Sequence, residues 1–471
     1  MEIDRLLTSI IVLACLAVLT VFVCIRKPPY QSYGEFLYRA SNETLSLTSA
    51  AGSVFTISFF YGGMHIYGIA YGAIFLPFLL ITFFLAYNAV STILTAVMPI
   101  LESPSGTPLA ENILLEHLRK TLSPENSRVI IFMIATIMWL MVAVEVGLGR
   151  LIIHSLFPNS PFAAPILITT ICAVCVVYIS AGGFKAVLVS DFVQFFCIVA
   201  FIVASLYVML FQSPSDFDVI GVLQGQSTSK IGFLLSAGII PFGVFWALCS
   251  VDLFSRFNFD GRDFRRSKLL LKKSFAVMFA IILYGLVFSI FSFGAHSEVM
   301  LAPQKFPQLI QSAFFSTGID IIPIILLVSL FVMIFTTLDN YIIAMVQTRV
   351  AKSIGGKNLS GLPAAVALAI VVSSLVDLKF IILSGFLVGS LFCFPGVMIL
   401  YLPRTKNQPN LRILGGSIFV GLLTYAGLVI VLWDFFVADA STYFGVPLIA
   451  AFAAHGALLL ANLTGKLAEG S

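Results

Sequence analysis

Charge is what this sequence lacks. Only 10% of its 471 residues are Asp, Glu, Lys or Arg, against about 25% in ordinary soluble domains. With 59% hydrophobic residues and a mean hydropathy of +1.06, the composition predicts a polytopic membrane protein. No stretch is long and polar enough to form a separate soluble domain, and no nucleotide- or nucleic-acid-binding module is legible. Histidine is scarce too. His65, His117, His154, His296 and His455 are scattered, so no cluster of His, Cys and carboxylates supports catalysis. The expectation is a non-enzyme with no organic cofactor. Nothing resembles a selectivity filter or a ring of charges, which argues against a channel. The seven cysteines fall in apolar runs. Cys172 and Cys175 form a CxxC without a second pair, so core or lipid contact is expected, not metal or a disulfide.

What the sequence has instead is long apolar runs. A bilayer-spanning helix needs roughly 20 mostly apolar residues. About thirteen such runs lie near 6–25, 45–64, 67–98, 128–156, 162–181, 185–211, 231–256, 270–295, 320–348, 361–377, 380–402, 412–434 and 443–464. The first has no small-residue cleavage pattern after it and reads as a retained helix. Basic residues sort by loop. Arg5, Lys230, Lys305 and Lys379 fall on one side, and Arg150 lies within a span. The remainder of the 26, with Arg256 and the basic loop after it, share the other side. Lys and Arg accumulate in cytoplasmic loops. The N-terminus is therefore expected outside and the C-terminus in the cytoplasm.

Two spans carry helix-breaking residues. The second contains "SFFYGGMHIYG" with Gly62-Gly63, and the seventh contains "SAGIIPFGVFWAL" with Pro241 and Gly243. In lipid, irregular backbone survives only where protein buries it or it lines a cavity. Breaks at matching places in two halves mark the midplane site of an inverted-repeat transporter. That divides the chain into 1–44 (an extra helix and first loop), 45–211 and 231–402 (two five-helix repeats) and 403–471 (two further helices). The plainer reading takes these Gly and Pro residues as ordinary membrane-helix kinks.

Polar residues inside spans then need explaining, because a charge at the bilayer centre costs roughly 3 kcal/mol or more. The candidates are Glu145, Arg150, Asp191, Asp252 and Asp339. In "IFTTLDNYIIAMVQ", helical spacing puts Met333, Thr336, Thr337 and Asn340 on one face with Asp339 at its edge. Hydroxyl, carboxylate and amide oxygens suit a hard cation such as sodium. The rest of the coordination would come from carbonyls of an unwound helix, which the second span offers. The alternative is that each threonine bonds its own i−4 carbonyl and joins helices, which leaves Asp339 unexplained. Asp191 either pairs through the interface with Lys185, which belongs to a tight Gly182-Gly183 turn, or forms a second cation or proton site facing Asp339.

The stretch "YISAGGFKAVLVSDFVQFF" (178–196) resembles the signature of the sodium/solute symporter family. "SYGEFLYRASNETLSL", "GTPLAENILLEHL", "VDLFSRFNFDGRDFRRSK" and "FTTLDNYIIAMVQTRVAK" resemble four further segments of that family, so the likeness runs from about Ser32 to Leu402. The resemblance implies an all-α membrane protein with a LeuT-like 5+5 inverted repeat, one extra N-terminal and two extra C-terminal helices, and sodium-coupled alternating access. It implies a sodium site from the carbonyls of Gly52, Phe55 and Met333 and the hydroxyls of Thr336 and Thr337; a one-residue shift of register moves the first pair to Ser53 and Thr56. A second site would combine Asp191 with Asp339 and Asn340. Here the sequence departs from the family, which has hydroxyls at the last two positions. Two close carboxylates cannot both stay ionised cheaply, so a second cation or a proton is expected there.

The solute pocket implied by the broken helices lies near Phe59, Phe60, His65, Gly243 and Trp246, with Glu145 facing it from the fourth span. Sugar-transporting members carry Glu-Gln where this chain has Phe59-Phe60, which weighs against sugar; Glu145 favours an amine or cation. Partners are then a small solute, sodium and the bilayer, with a monomer expected rather than an obligate oligomer. The competing reading is a transporter-like solute sensor acting through a separate signalling partner.

Overall fold

The computed structural model describes residues 46–50, 72–101, 112–211, 237–256, 264–293, 321–349, 361–376, 411–431 and 442–469, with residues 14, 319, 381, 384, 387 and 388 singly. Most of the first two expected spans, the Gly62-Gly63 break and the span at 380–402 lie outside this set. Among the described residues there is no strand.

A 3-10 turn, Gly72–Phe75, opens α1 (Leu76–Leu101). The chain continues through α2 (Ile113–Thr121), α3 (Pro124–Leu156), α4 (Ala163–Phe211), α5 (Ile239–Cys249) and α6 (Val251–Arg256). There follow α7 (Phe264–Phe293), α8 (Ile321–Arg349), α9 (Leu362–Leu375), α10 (Leu411–Val431) and α11 (Thr442–Glu469). Leu76–Thr95, Pro124–Leu156, Ala163–Val208, Ser267–Val287 and Ile321–Thr348 are long and apolar enough to cross a membrane.

Helix α4 is two helices. Its 49 residues would stretch to more than twice a ~30 Å hydrocarbon core. Gly183 interrupts it at φ 59, ψ −153, a conformation open essentially to glycine alone. The chain reverses there, as expected of the fifth and sixth spans.

In the described part of the seventh span, 237–256, Pro241 and Gly243 sit near the start of α5, which begins at Ile239 after a turn at 237–238, and a further interruption comes at Ser250 between α5 and α6. In the first turn a proline's missing N–H has no intrahelical acceptor to lose, so Pro241 costs little there.

Large apolar side chains face outward, among them Phe84, Phe132, Phe162 and Leu210, each at least two-thirds exposed. Lipid covers such a surface; water would not. Because hydrocarbon is as apolar as a leucine side chain, close packing and interhelical hydrogen bonds must hold the bundle together. Helix α8 is its centre: 72% of its spanning segment is buried, against 39% for α1. It packs chiefly on α4 and α3. At the α3 crossing, a Cβ on Gly149 would stand 2.8 Å from Ile168 and 3.2 Å from Ile334. At the α1–α5 crossing, a Cβ on Gly243 would stand 2.2 Å from Thr82. Both glycines permit helices to touch.

Arg150, the basic residue inside a span, reaches the last turn of α9. Its guanidinium donates to the Ser373 carbonyl at 3.1 Å and the Ser374 hydroxyl at 2.6 Å. Carbonyls at a helix C-terminus have no intrahelical donor and carry partial negative charge, so a cation is stabilised there.

Candidate functional site: a buried polar stripe

The apolar centre of the bundle contains a polar stripe on α8. Ser329, Thr336, Asn340 and Gln347 recur at intervals of seven, four and seven, which keeps them on one face. All are at most 3% exposed. The second leg of α4 runs antiparallel to them and answers in register. Ser329 donates to the Cys197 carbonyl at 3.2 Å. Thr336 Oγ1 contacts Gln194 Oε1. Asn340 Nδ2 donates to Asp191 Oδ1 at 3.3 Å. Beyond α4, Ser255 of α6 donates to Gln347 Oε1 at 3.2 Å.

Both threonines also bond backward, Thr336 to the Val332 carbonyl at 2.9 Å and Thr337 to the Met333 carbonyl at 2.7 Å. A hydroxyl that donates its hydrogen in this way keeps acceptor lone pairs. Helix satisfaction and presentation of oxygen to a cation are therefore compatible. Asn340 Nδ2 also reaches the Thr336 carbonyl at 2.6 Å.

The charges are arranged in two places. Asp191 is fully buried and meets Arg256, whose Nη2 lies 3.4 Å from Asp191 Oδ2 and 2.6 Å from Asn340 Oδ1. Arg256 Nε donates to Ser49 at 2.9 Å, and Ser49 contacts Asp191 in turn. Asp339, also fully buried, turns to the first leg of α4. Its Oδ2 accepts from the Tyr178 hydroxyl, while Oδ1 has no hydrogen-bond partner. The Tyr178 ring stacks on Phe335 at 5.5 Å.

These contacts change one expectation. Arg256 does not belong to the basic loop outside the membrane: it is fully buried at the end of α6. The cation beside Asp191 is Arg256, not Lys185. A buried charge persists when paired and hydrogen-bonded, and three helical segments supply those partners.

The other expected site residues fall as follows. Thr336 and Asn340 meet Gln194 and Asp191 on the second leg of α4, Asp339 meets Tyr178 on its first leg, and Met333 and Thr337 are buried beside them on α8. Glu145 is fully buried on α3, and Arg150 is turned away to α9. Gly243 lies on the α5 face that meets α1, next to Thr82. The side chain of Trp246 and all of Gly52, Ser53, Phe55, Thr56, Phe59, Phe60 and His65 lie outside the described residues. Sequence reasoning assigned no role to Ser49, Gln194 or Asn112. Asn112 caps α2, its Oδ1 accepting from Leu114 and Leu115. Its Nδ2 donates to the Val251 carbonyl and to Ser255, both at 2.7 Å. It thereby ties the start of α6 to α2. The available signal was a polar residue just before a helical run, which marks an N-cap.

No protein-family model and no curated protein matches the chain. Its fold is nonetheless similar to solved structures. One is a Na+-coupled sialic acid symporter in a substrate-bound, outward-open state, with a TM-score of 0.68, 13% identity and 97% of each chain covered. Another is a nucleobase-cation-symport-1 family transporter in a closed conformation with bromovinylhydantoin bound. There the TM-score is 0.51 at 13% identity, covering 93% of this chain and 96% of that one. The protein is an all-α, multi-pass membrane protein with a LeuT-like fold.

Proposed function

We propose that this chain is a sodium-coupled secondary transporter that takes up a small organic solute by alternating access. The observation that carries the reading is the stripe of oxygen-bearing side chains, Thr336 to Asn340, buried in the most enclosed helix of an otherwise apolar bundle. Polar groups there are expensive and mark ion or substrate paths. The likeness in fold to a Na+-coupled symporter supports the same reading.

In this account sodium is cargo. Met333, Thr336 and Thr337 bind it together with carbonyls of Gly52 and Phe55 from the preceding repeat. Asp191, Asp339 and Asn340 form the second cation or proton site. Asp339 is the residue whose free Oδ1 and full burial favour a second positive charge. The solute site combines Phe59, Phe60, His65, Glu145, Gly243 and Trp246. An amine- or cation-bearing solute fits the buried carboxylate of Glu145, and two phenylalanines argue against a sugar. Sodium binding favours the outward-open state by no more than its difference in affinity between the two states. The inward gradient then drives uptake, with the N-terminus outside and the C-terminus in the cytoplasm.

The test is a thermal-shift screen of purified protein against amines, amino acids, organic acids and sugars, with sodium or choline as counter-ion. Hits are then followed as uptake into proteoliposomes. Sodium-dependent stabilisation followed by gradient-driven accumulation is expected. A solute that binds and stabilises but is never accumulated would contradict transport and leave a sensor.

A further inference from the structure

We propose that Gln194 is a ligand of the sodium bound at Thr336, its amide oxygen adding a donor from the second leg of α4. Both side chains are buried. Ser190 lies one turn before Gln194, and Gln194 Nε2 donates to Ser190 Oγ at 2.7 Å. With the nitrogen held there, Oε1 is the atom turned to Thr336 Oγ1. Asp191, on the same leg, is already engaged by Arg256 and Asn340. Gln194 is therefore the α4 side chain whose oxygen faces Thr336.

The hydrogen count at Thr336 fits an ion that must both bind and leave. Its hydroxyl has one hydrogen and two acceptors in reach, the Val332 carbonyl at 2.9 Å and Gln194 Oε1. Directed to Gln194, the hydrogen satisfies both side chains without an ion, while the Val332 carbonyl keeps its helical N–H. Directed to Val332, it leaves two oxygens facing one another with lone pairs free. In a buried site that arrangement is costly unless a cation touches both. Rotation of one hydroxyl thus converts a satisfied empty site into a two-oxygen ligand set, and no buried polar group is stranded when the ion departs. The donor type agrees as well. Hard cations take carbonyl and amide oxygens, and a neutral amide adds no second carboxylate beside Asp191. Sodium held in this way joins α4 to α8.

This ligand rests on the sodium reading above, and its test separates the two. Binding of radioactive sodium, and its displacement by lithium, is measured on purified wild type, Gln194→Met and Gln194→Glu, with the thermal midpoint as a control for folding. Met nearly matches Gln in length and volume but has no oxygen. Gln194→Met should weaken sodium binding by about tenfold or more. Ligand number is one determinant of ion choice. Loss of one oxygen should therefore also raise the relative affinity for lithium, the smaller ion, whereas a purely structural loss would weaken both ions alike. Gln194→Glu keeps an oxygen and has no N–H to offer, so it should bind sodium at least as tightly as wild type. If Gln194→Met does not fold, Gln194→Asn, which withdraws the oxygen by one methylene, takes its place. Wild-type affinity and an unchanged lithium ratio in Gln194→Met would overturn the ligand. So would a Gln194→Glu protein as weak as Gln194→Met, because the N–H would then be what meets Thr336. No saturable binding by folded wild type would overturn the sodium reading and this ligand with it, and the wild-type isotherm tells that failure from the others.

Discussion

Thr337 concentrates the argument at the residue scale. Its hydroxyl hydrogen is used on the Met333 carbonyl, so what it offers a cation is a lone pair. Thr337→Ser preserves that oxygen and should preserve sodium binding. Thr337→Val matches the volume but removes it, and should weaken sodium binding by about tenfold or more, equivalent to ~1.4 kcal/mol; isothermal titration of purified protein would measure it. Asp339→Asn makes a different change. It keeps an acceptor for the Tyr178 hydroxyl while deleting the charge, so the number of cations moved with each solute should fall. Reversal-potential measurement in proteoliposomes would show this, and an unchanged ion-to-solute ratio would contradict a charge role for Asp339. Both residues were legible in sequence because carboxylate and hydroxyls stand out in an apolar run. Arg256 was not. At the end of a span and next to a basic loop it looks like loop charge, and only its contacts with Ser49, Asp191 and Asn340 show a buried pair.

Elements depend on a few positions where side chains or backbone leave no room. Gly183 is one. At φ 59, ψ −153 a residue with a Cβ is strained by about 1–3 kcal/mol, so Gly183→Val should lower the thermal midpoint in detergent, whereas a substitution at outward-facing Phe132 should not. Asn112 gives a finer test. Asn112→Asp retains the oxygen that caps α2 but loses both donations to α6. Losing two buried hydrogen bonds should cost about 1–3 kcal/mol, read as a lower midpoint, although the cap itself survives. The Gly182-Gly183 turn was readable from composition because only glycine reaches that backbone region. The break at Ser250 was not. Pro241 drew attention as the helix breaker, and serine carries no comparable signal.

For the whole molecule, hydropathy was sufficient to specify a helical membrane protein, since lipid admits few alternatives. The pairing of α4 with α8 was harder to see, because the complementary polar residues are separated by about 140 positions in the chain and only the fold joins them. Together these contacts make the α4–α8 interface a polar seam among the described helices. The most direct measurement is equilibrium binding of radioactive sodium to the purified protein, wild type beside Thr337→Val. The account predicts saturable binding by the wild type that is lost or weakened about tenfold in the variant while both remain folded. No saturable binding by the folded wild type, or equal binding by the two, would contradict it.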